Sequence, residues 1–507
     1  EMGLDIQADA LKHSQIDEDE LARELLVIIQ EAKRKLDNPS AVATETLYEE
    51  MFDAHPIRRW RIGTEEGLRR LRRQDIWEYY RNLYRPSNIV LVVAGDVDPG
   101  RTLELIERHY GEMAPGEPVR EPRPDELPRR EFRLREIDGE VVHTYVELGW
   151  RTPETAHPDT AVLDLLSGIL GQGRASRLYR GVRELGLATS IGAYNYTPTE
   201  LGVFGISAEM QPGDTLGALE AIAREVESVR SAPASSRELE RAKNLLEARL
   251  LRRLETAEGQ ATQLAHWQAM GDWRLAEDYQ RRLLAATAED VHRVAREYLD
   301  LDAATVLVYR PRSAPALGLG AADLRERLVA ASATAEPVRI VEATGEPAAR
   351  GLGRPLPVGS EDGVAFFELP DGTRLGVKPR TAAPLVSMAV WFRGGELRES
   401  AELAGITALL GRVSVKGTAT RTAEELAEAT ESLGGSISPS VGADSLGWSL
   451  SLPARHFARG FELLADVVLR PALPEPELER ERRIMLADLE HIRDDTYQYP
   501  MQLLLQA

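Results

Sequence analysis

From Asp17 onward, Leu21, Glu24, Val27, Ile28 and Glu31 recur at i, i+3, i+6, i+7 and i+10, the spacing of one face of an α-helix. The pattern predicts a helix opened by Asp17, with Glu20 three residues on as in a capping box. It also sets two carboxylates among the apolar side chains of that face. Further along, the helical pattern from Asp75 to Tyr84 is followed by a β-branched strand from Asn88 to Ala94. The same order returns 215 positions later, with Asp290-Val291 for Asp75-Ile76, Arg296 for Arg81, and Thr305 to Val308 for the strand Val90 to Val93.

A second self-alignment, at 457 positions, pairs Ala8-Asp9 with Ala465-Asp466, Ile16 with Leu473, Leu21 with Leu478, Arg23-Glu24 with Arg480-Glu481, and Asp37 with Asp494. These echoes predict one large unit repeated, with the chain beginning and ending inside copies of it, and each half built from two similar domains. Helices alternating with strands place the fold in the α+β class, as repeated α/β sandwich domains. Between Pro311 and Glu361 the sequence turns rich in Ala, Pro and Gly, with Pro337, Pro347, Pro355 and Pro357 as punctuation; it reads as a linker between halves.

Composition narrows the chemistry. With 507 residues, 43% of them hydrophobic, the chain has room for about three domains. A formal charge of −20 spread through helical segments argues for a soluble protein and against nucleic acid as the main partner. There is no cysteine, so disulfides and thiolate metal sites are excluded and metal chemistry must use His, Asp or Glu. The apolar runs Ile89 to Ala94 and Ala161 to Leu170 are far shorter than the roughly 18 residues of a membrane span. Glu1-Met2-Gly3-Leu4-Asp5 has none of the marks of a signal peptide. The compartment stays open, periplasmic or secreted if a leader lies upstream.

A carboxylate on a buried helix face needs an ion, a hydrogen-bond partner or a metal; the plainer alternative for Glu24 and Glu31 is two solvated acids near a helix end. The run Glu24 to Glu31, with Asp37-Asn38, resembles the third-ligand helix of pitrilysin/insulinase-type zinc metallopeptidases. The resemblance implies that Glu31 is a zinc ligand, completing a site begun by the two histidines of an HxxEH motif. It implies that Glu24 supports the site from behind. It continues through His55-Pro56 and through Asn88 to Pro99. In the second half, Gly394-Gly395, Ala404 to Arg412 and Lys416-Gly417-Thr418 resemble the surroundings of HxxEH, but Ala408 and Arg412 stand for the histidines, Gly411 for the general base and Asp488 for the third ligand. That half is expected to hold no metal. No HxxEH or HxxxH occurs anywhere in the chain; His13, His55 and His143 read as surface or core residues, and Glu490-His491 has Ala487 where a first ligand would be. The repeat places the missing histidines about 45 residues ahead of Glu1.

The loop Gly171 to Tyr179 could pass for a dinucleotide-binding loop and make the protein a dehydrogenase, but it follows a helical run, Thr160 to Leu170, where that fold needs a strand. It resembles instead a loop of the family's non-catalytic domain, followed by Arg183 to Thr189. Thr189 takes the position where some members place a substrate-holding tyrosine. The resemblance thus implies a partial first peptidase domain at 1–125, a second at 130–310, the linker at 311–361 and a partial third domain at 362–507. It implies a clamshell of two halves, one Zn2+ per full-length protein held in the first half, and peptides or small unfolded proteins as substrates. The chain as given is expected to be an inactive piece of such an enzyme. The rival expectation is a catalytically dead homologue serving as a scaffold or assembly subunit.

Overall fold

The computed structural model describes residues 1–117, 124, 126–335, 354–492 and 498–506. The first segment is helical: α1 Met2–His13, α2 Glu18–Leu36, α3 Pro39–Met51, α4 Glu65–Arg70, α5 Arg73–Leu83 and α6 Pro99–Tyr110. The strand expected from Asn88 to Ala94 pairs with no other among the described residues, and Val90 and Val93 stay 40% and 39% exposed. A strand is stabilised by its lateral partner, so β-branched composition alone does not make one.

The second segment holds β1 Arg133–Gly139, β2 Thr144–Thr152, α7 Thr160–Gly171, β3 Ser190–Tyr196, β4 Gly202–Met210, α8 Thr215–Ser231, α9 Ser236–Leu254, α10 Ala257–Ala269, α11 Leu275–Ala285, α12 Ala288–Tyr298, β5 Thr305–Pro311 and α13 Ala321–Ser332. Its sheet runs β1-β5-β2-β4-β3, antiparallel except for the β1/β5 pair. On one face Leu148, Trp150, Phe204, Ile206 and Val306 pack against α7, α8 and α12. On the other face α3 lies across β2 and β5 through Val42, Ala43, Leu47 and Met51. A Cβ on Gly149 would collide with Met51 Sδ, so this crossing needs glycine. Covered on both sides, β2 is buried at eight of nine positions, polar Thr144, Glu147 and Thr152 among them. Within the stretch read as linker, α13 buries Leu324 and Leu328 completely in the core of this sheet domain. Residues 336–353, with Pro337 and Pro347, lie outside the described residues.

The third segment opens with a meander, β6 Leu356–Glu361, β7 Val364–Glu368 and β8 Arg374–Val377. It continues with β9 Leu385–Arg393, α14 Ile406–Ser414, the short β10 Gly417–Thr418 and β11 Arg421–Thr422, α15 Ala423–Glu431, β12 Ile437–Val441, β13 Ser445–Pro453, α16 Phe457–Leu469, α17 Glu475–His491 and α18 Gln498–Gln506. The antiparallel sheet β12-β13-β9 shares its core with α15 and α16 through Leu426, Leu450, Leu452, Leu463 and Val467. No described helix is long and apolar enough to cross a membrane.

Both sequence echoes reappear as geometry. At 457 positions, α2 and α17 start in register at Glu18 and Glu475. Ile16 and Leu473 both adopt φ 46°, and the i,i+4 pairs His13–Asp9 and Arg470–Asp466 measure 2.8 and 2.7 Å. At 215 positions, α5 and α12 coincide in length, and each opens with an aspartate closing back on its cap: Arg72 N to Asp75 at 2.8 Å, Thr287 N to Asp290 at 2.9 Å.

Candidate metal centre and its counterpart

Asp17 caps α2, its Oδ1 accepting from Asp19 N and Glu20 N at 3.0 Å each. Glu20 turns to Arg23 instead of closing a box. The expectation that Glu24 and Glu31 lie on a buried face is corrected: both are exposed, as are Leu26 and Val27, and only Ile29 of this helix is buried. The physical reason is that α2 is held chiefly through α3 and α4, and among the described residues the face carrying the acids stays uncovered. Neither acid has an ion-pair partner among the described residues. His13 pairs with Asp9, His55 Nε2 with Glu200 at 3.0 Å and His143 Nδ1 with Glu209 at 2.9 Å, all away from Glu31. The side chains of Glu490 and His491 lie outside the described residues. No group of three His, Asp or Glu able to hold a metal occurs among the described residues. They supply Glu31 and its neighbour Glu24, and by themselves do not complete a zinc site.

In the third segment Arg412 and Asp488 are brought together. Arg412, on α14, reaches across to α17, where its Nη2 lies 2.6 Å from Asp488 Oδ2 and its Nη1 3.9 Å from Glu481. Lys416 Nζ is 2.7 Å from Glu481 Oε1 and donates to Tyr179 Oη at 3.2 Å. Glu481 and Lys416 are buried. Ala408 sits one turn before Arg412 on the same helix face. Gly411 points the other way: a Cβ there would stand 3.1 Å from Val441 Cγ2, so α14 rests on β12 where a general-base side chain would need room.

The loop Gly171 to Tyr179 is an anion nest whose anion belongs to the protein. It leaves α7, and Gly173 at φ +83° turns the backbone so that Arg174 N and Ala175 N donate to Glu431 at 2.6 and 3.0 Å. Arg241, fully buried, adds a contact of 3.3 Å to the same carboxylate, and Arg174 Nη1 donates to Val415 O at 2.7 Å. Burial pushes the Glu431 carboxyl up, against the pull of Arg241 and the two amides. Thr189 donates to Glu209 O at 3.1 Å, and its own carbonyl accepts from Arg183.

Two further buried acids escaped sequence reasoning. Glu147, on β2 beneath α3, accepts from Thr44 Oγ1 at 3.1 Å, and its Oε2 has no hydrogen-bond partner among the described residues. Burial pushes it up to about 8. Asp164 accepts from Asn195 Nδ2 at 3.0 Å and from Tyr279 at the wall of a cavity of about 790 Å3, and burial raises it to about 6. Glu147 stands between Val146 and Leu148 on a strand and Asp164 between Leu163 and Leu165 on a helix, so neither spacing marks it as an acid with a function.

The chain is thus a mixed helix-and-sheet repeat in which one copy presents an open acid pair on a helix and the other pairs its two acids with arginine and lysine. The model of the Peptidase M16 inactive domain matches residues 70–246, and that of Insulinase (Peptidase family M16) matches 377–507. The chain belongs to this family. It is 26% identical over 319 residues to the zinc protease PqqE of Helicobacter pylori, covering 61% of this chain and 71% of that protein. To an uncharacterized zinc protease of Rickettsia felis it is 31% identical over 208 residues, 40% of this chain and 49% of the relative. Among solved structures, a protease from Helicobacter pylori superposes at TM-score 0.58 with 24% identity, over 61% of this chain and 76% of that one. A mutant form of the ferredoxin protease FusC, in complex with Arabidopsis ferredoxin, superposes at TM-score 0.57 with 17% identity. That match takes in 99% of this chain and 59% of the other.

Proposed function

We propose that this chain serves in a zinc-dependent endopeptidase acting on peptides or small unfolded proteins, with Glu31 as one zinc ligand and Glu24 orienting the groups around it. The carrying observation is an asymmetry between the repeats. Glu481 and Asp488 are neutralised by Lys416 and Arg412, whereas Glu24 and Glu31, at the matching positions of α2, stand open and without a cation. Two like charges seven residues apart on an exposed face are available to a divalent ion; the neutralised pair is not. The histidines that such a centre needs would come from outside the residues described.

The test is to express the protein with the coding segment upstream of Glu1 and measure zinc content together with hydrolysis of an internally quenched peptide. One zinc per chain and chelator-sensitive cleavage, both lost in Glu31→Gln, are expected. Zinc content unchanged by Glu31→Gln would refute the assignment. A second reading, a non-catalytic homologue acting as scaffold or assembly subunit, is favoured by the closed state of the third-segment site. It is the outcome if the upstream segment contains no HxxEH and no cleavage is seen.

A further inference from the structure

We propose that the third segment's counterpart of the metal site has been rebuilt as a metal-independent ionic joint, in which Arg412 and Lys416 together supply the charge a divalent cation would bring. The inference goes beyond the reading of Glu31 and does not depend on it. The repeat sets these two helices where the first half is expected to hold its zinc, and the residues present do not fit a metal. Ala408 has no donor atom, Asp488 is the single ligand-type side chain at the expected positions, and a guanidinium occupies the space before it.

The charge count gives this misfit a chemical meaning. Two carboxylates, Glu481 and Asp488, face two fixed monocations, so the cluster is neutral without any bound ion. Glu481 and Lys416 are buried, at 3% and 6% exposure, where an uncompensated charge would be strongly unfavourable. The arrangement also does something a metal ion would not. Lys416 extends beyond the cluster to the Tyr179 hydroxyl, and Tyr179 Oη accepts from Arg183 Nη1 at 2.6 Å. The chain of contacts Asp488–Arg412–Glu481–Lys416–Tyr179 therefore ties α17 and α14 to the turn after α7. With Glu431 seated in the Gly173 loop on the same seam, the degenerate motif becomes part of the fastening between the second and third segments.

The experiment uses the full chain in a Glu24→Gln/Glu31→Gln background, which removes the first repeat from every metal readout. In this background the parent should take up no Co2+. The triple variant Ala408→His/Arg412→His/Asp488→Glu should bind one Co2+ per chain with the visible absorption bands of a tetrahedral site. A folded triple variant that binds no cobalt overturns the proposal, because the two helices would then not hold a ligand geometry that Arg412 had taken over. Arg412→Ala is the companion should the triple variant fail to fold. Its melting midpoint should fall by several degrees and be partly restored by millimolar zinc, while the parent responds to neither zinc nor chelator. A midpoint equal to the parent's, with or without zinc, also overturns the proposal.

Discussion

Replacing Glu147 with glutamine should abolish a pH dependence that the wild-type chain carries in its seam between α3 and the five-stranded sheet. The carboxyl is enclosed by Thr44 and by the ring-bearing side chains of Tyr48 and Tyr194, and Arg61 acts on both tyrosines. In the unfolded chain it loses its proton near the ordinary value of 4.5; in the fold, burial holds the proton to about 8. Between those limits folding takes up one proton, so stability is greatest below the lower value and falls as pH rises, by about 1.4 kcal/mol per pH unit. By pH 8 the accumulated loss is roughly 4–5 kcal/mol, after which it levels off. Glutamine keeps the size and the bond from Thr44 but has nothing to titrate. Urea unfolding of both proteins at intervals from about pH 5 to pH 8, followed by circular dichroism and tryptophan emission, reads the difference directly. The two stability curves should diverge steadily with pH, the variant being the more stable at the alkaline end. Parallel curves would refute the reasoning and would mean that water or a shifted side chain reaches the carboxyl.

Other perturbations test other joints. Gly149→Ala sets a methyl against Met51 and Leu47 and should lower stability by about 1–3 kcal/mol; an unchanged melting midpoint would mean that α3 is not seated on β2. Glu238 shows the opposite pH sign: burial works to raise its carboxyl, but Arg177 and the Ser235 cap override that and hold it at about 2. Its contribution, about 3 kcal/mol, is present above the ordinary value and lost as pH falls from there towards 2, so Glu238→Gln should flatten the acid limb of the stability profile. Glu431→Ala leaves the fully buried Arg241 without its anion and should destabilise by about 3–5 kcal/mol, seen as faster limited proteolysis at the seam between Gly173 and Val415; wild-type resistance would show that the nest is not what fastens it.

Much of the architecture could be read from spacing, because repeats preserve register even when they lose composition. The 457-position echo matches the starts of α2 and α17, and the 215-position echo matches α5 with α12, although α5 runs from Arg73 to Leu83 where the pattern gave Asp75 to Tyr84. What was not legible depended on partners far away in the chain. Asn88 to Ala94 has the residues of a strand and, among the described residues, no neighbour that would make it one. The acids of α2 fall on the apolar stripe by periodicity, yet stay open because no described element covers that stripe. The seat of α3 on the sheet is invisible locally, since its buried residues include Glu45 and Thr46 as well as Leu47 and Met51, and that mixture blurs any amphipathic signal. The helix ahead of the Gly173 loop was legible locally, but the loop's occupant, Glu431, lies 257 residues from Arg174, a distance over which no local pattern speaks.

The left-handed backbone shared by Ile16 and Leu473 has a meaning outside energetics. A branched side chain in that region costs about 1–2 kcal/mol, and glycine or asparagine would relieve it. Two segments that had converged separately on the same turn would each have had the chance to adopt the less strained residue, and neither did. A shared blemish in the same line of two manuscripts points to a common source more firmly than a shared virtue, since good readings can be reached twice. The pair is therefore a mark of shared origin: the turn stands in both copies with its flaw, while the acid that follows it is Glu31 in one and Asp488 in the other.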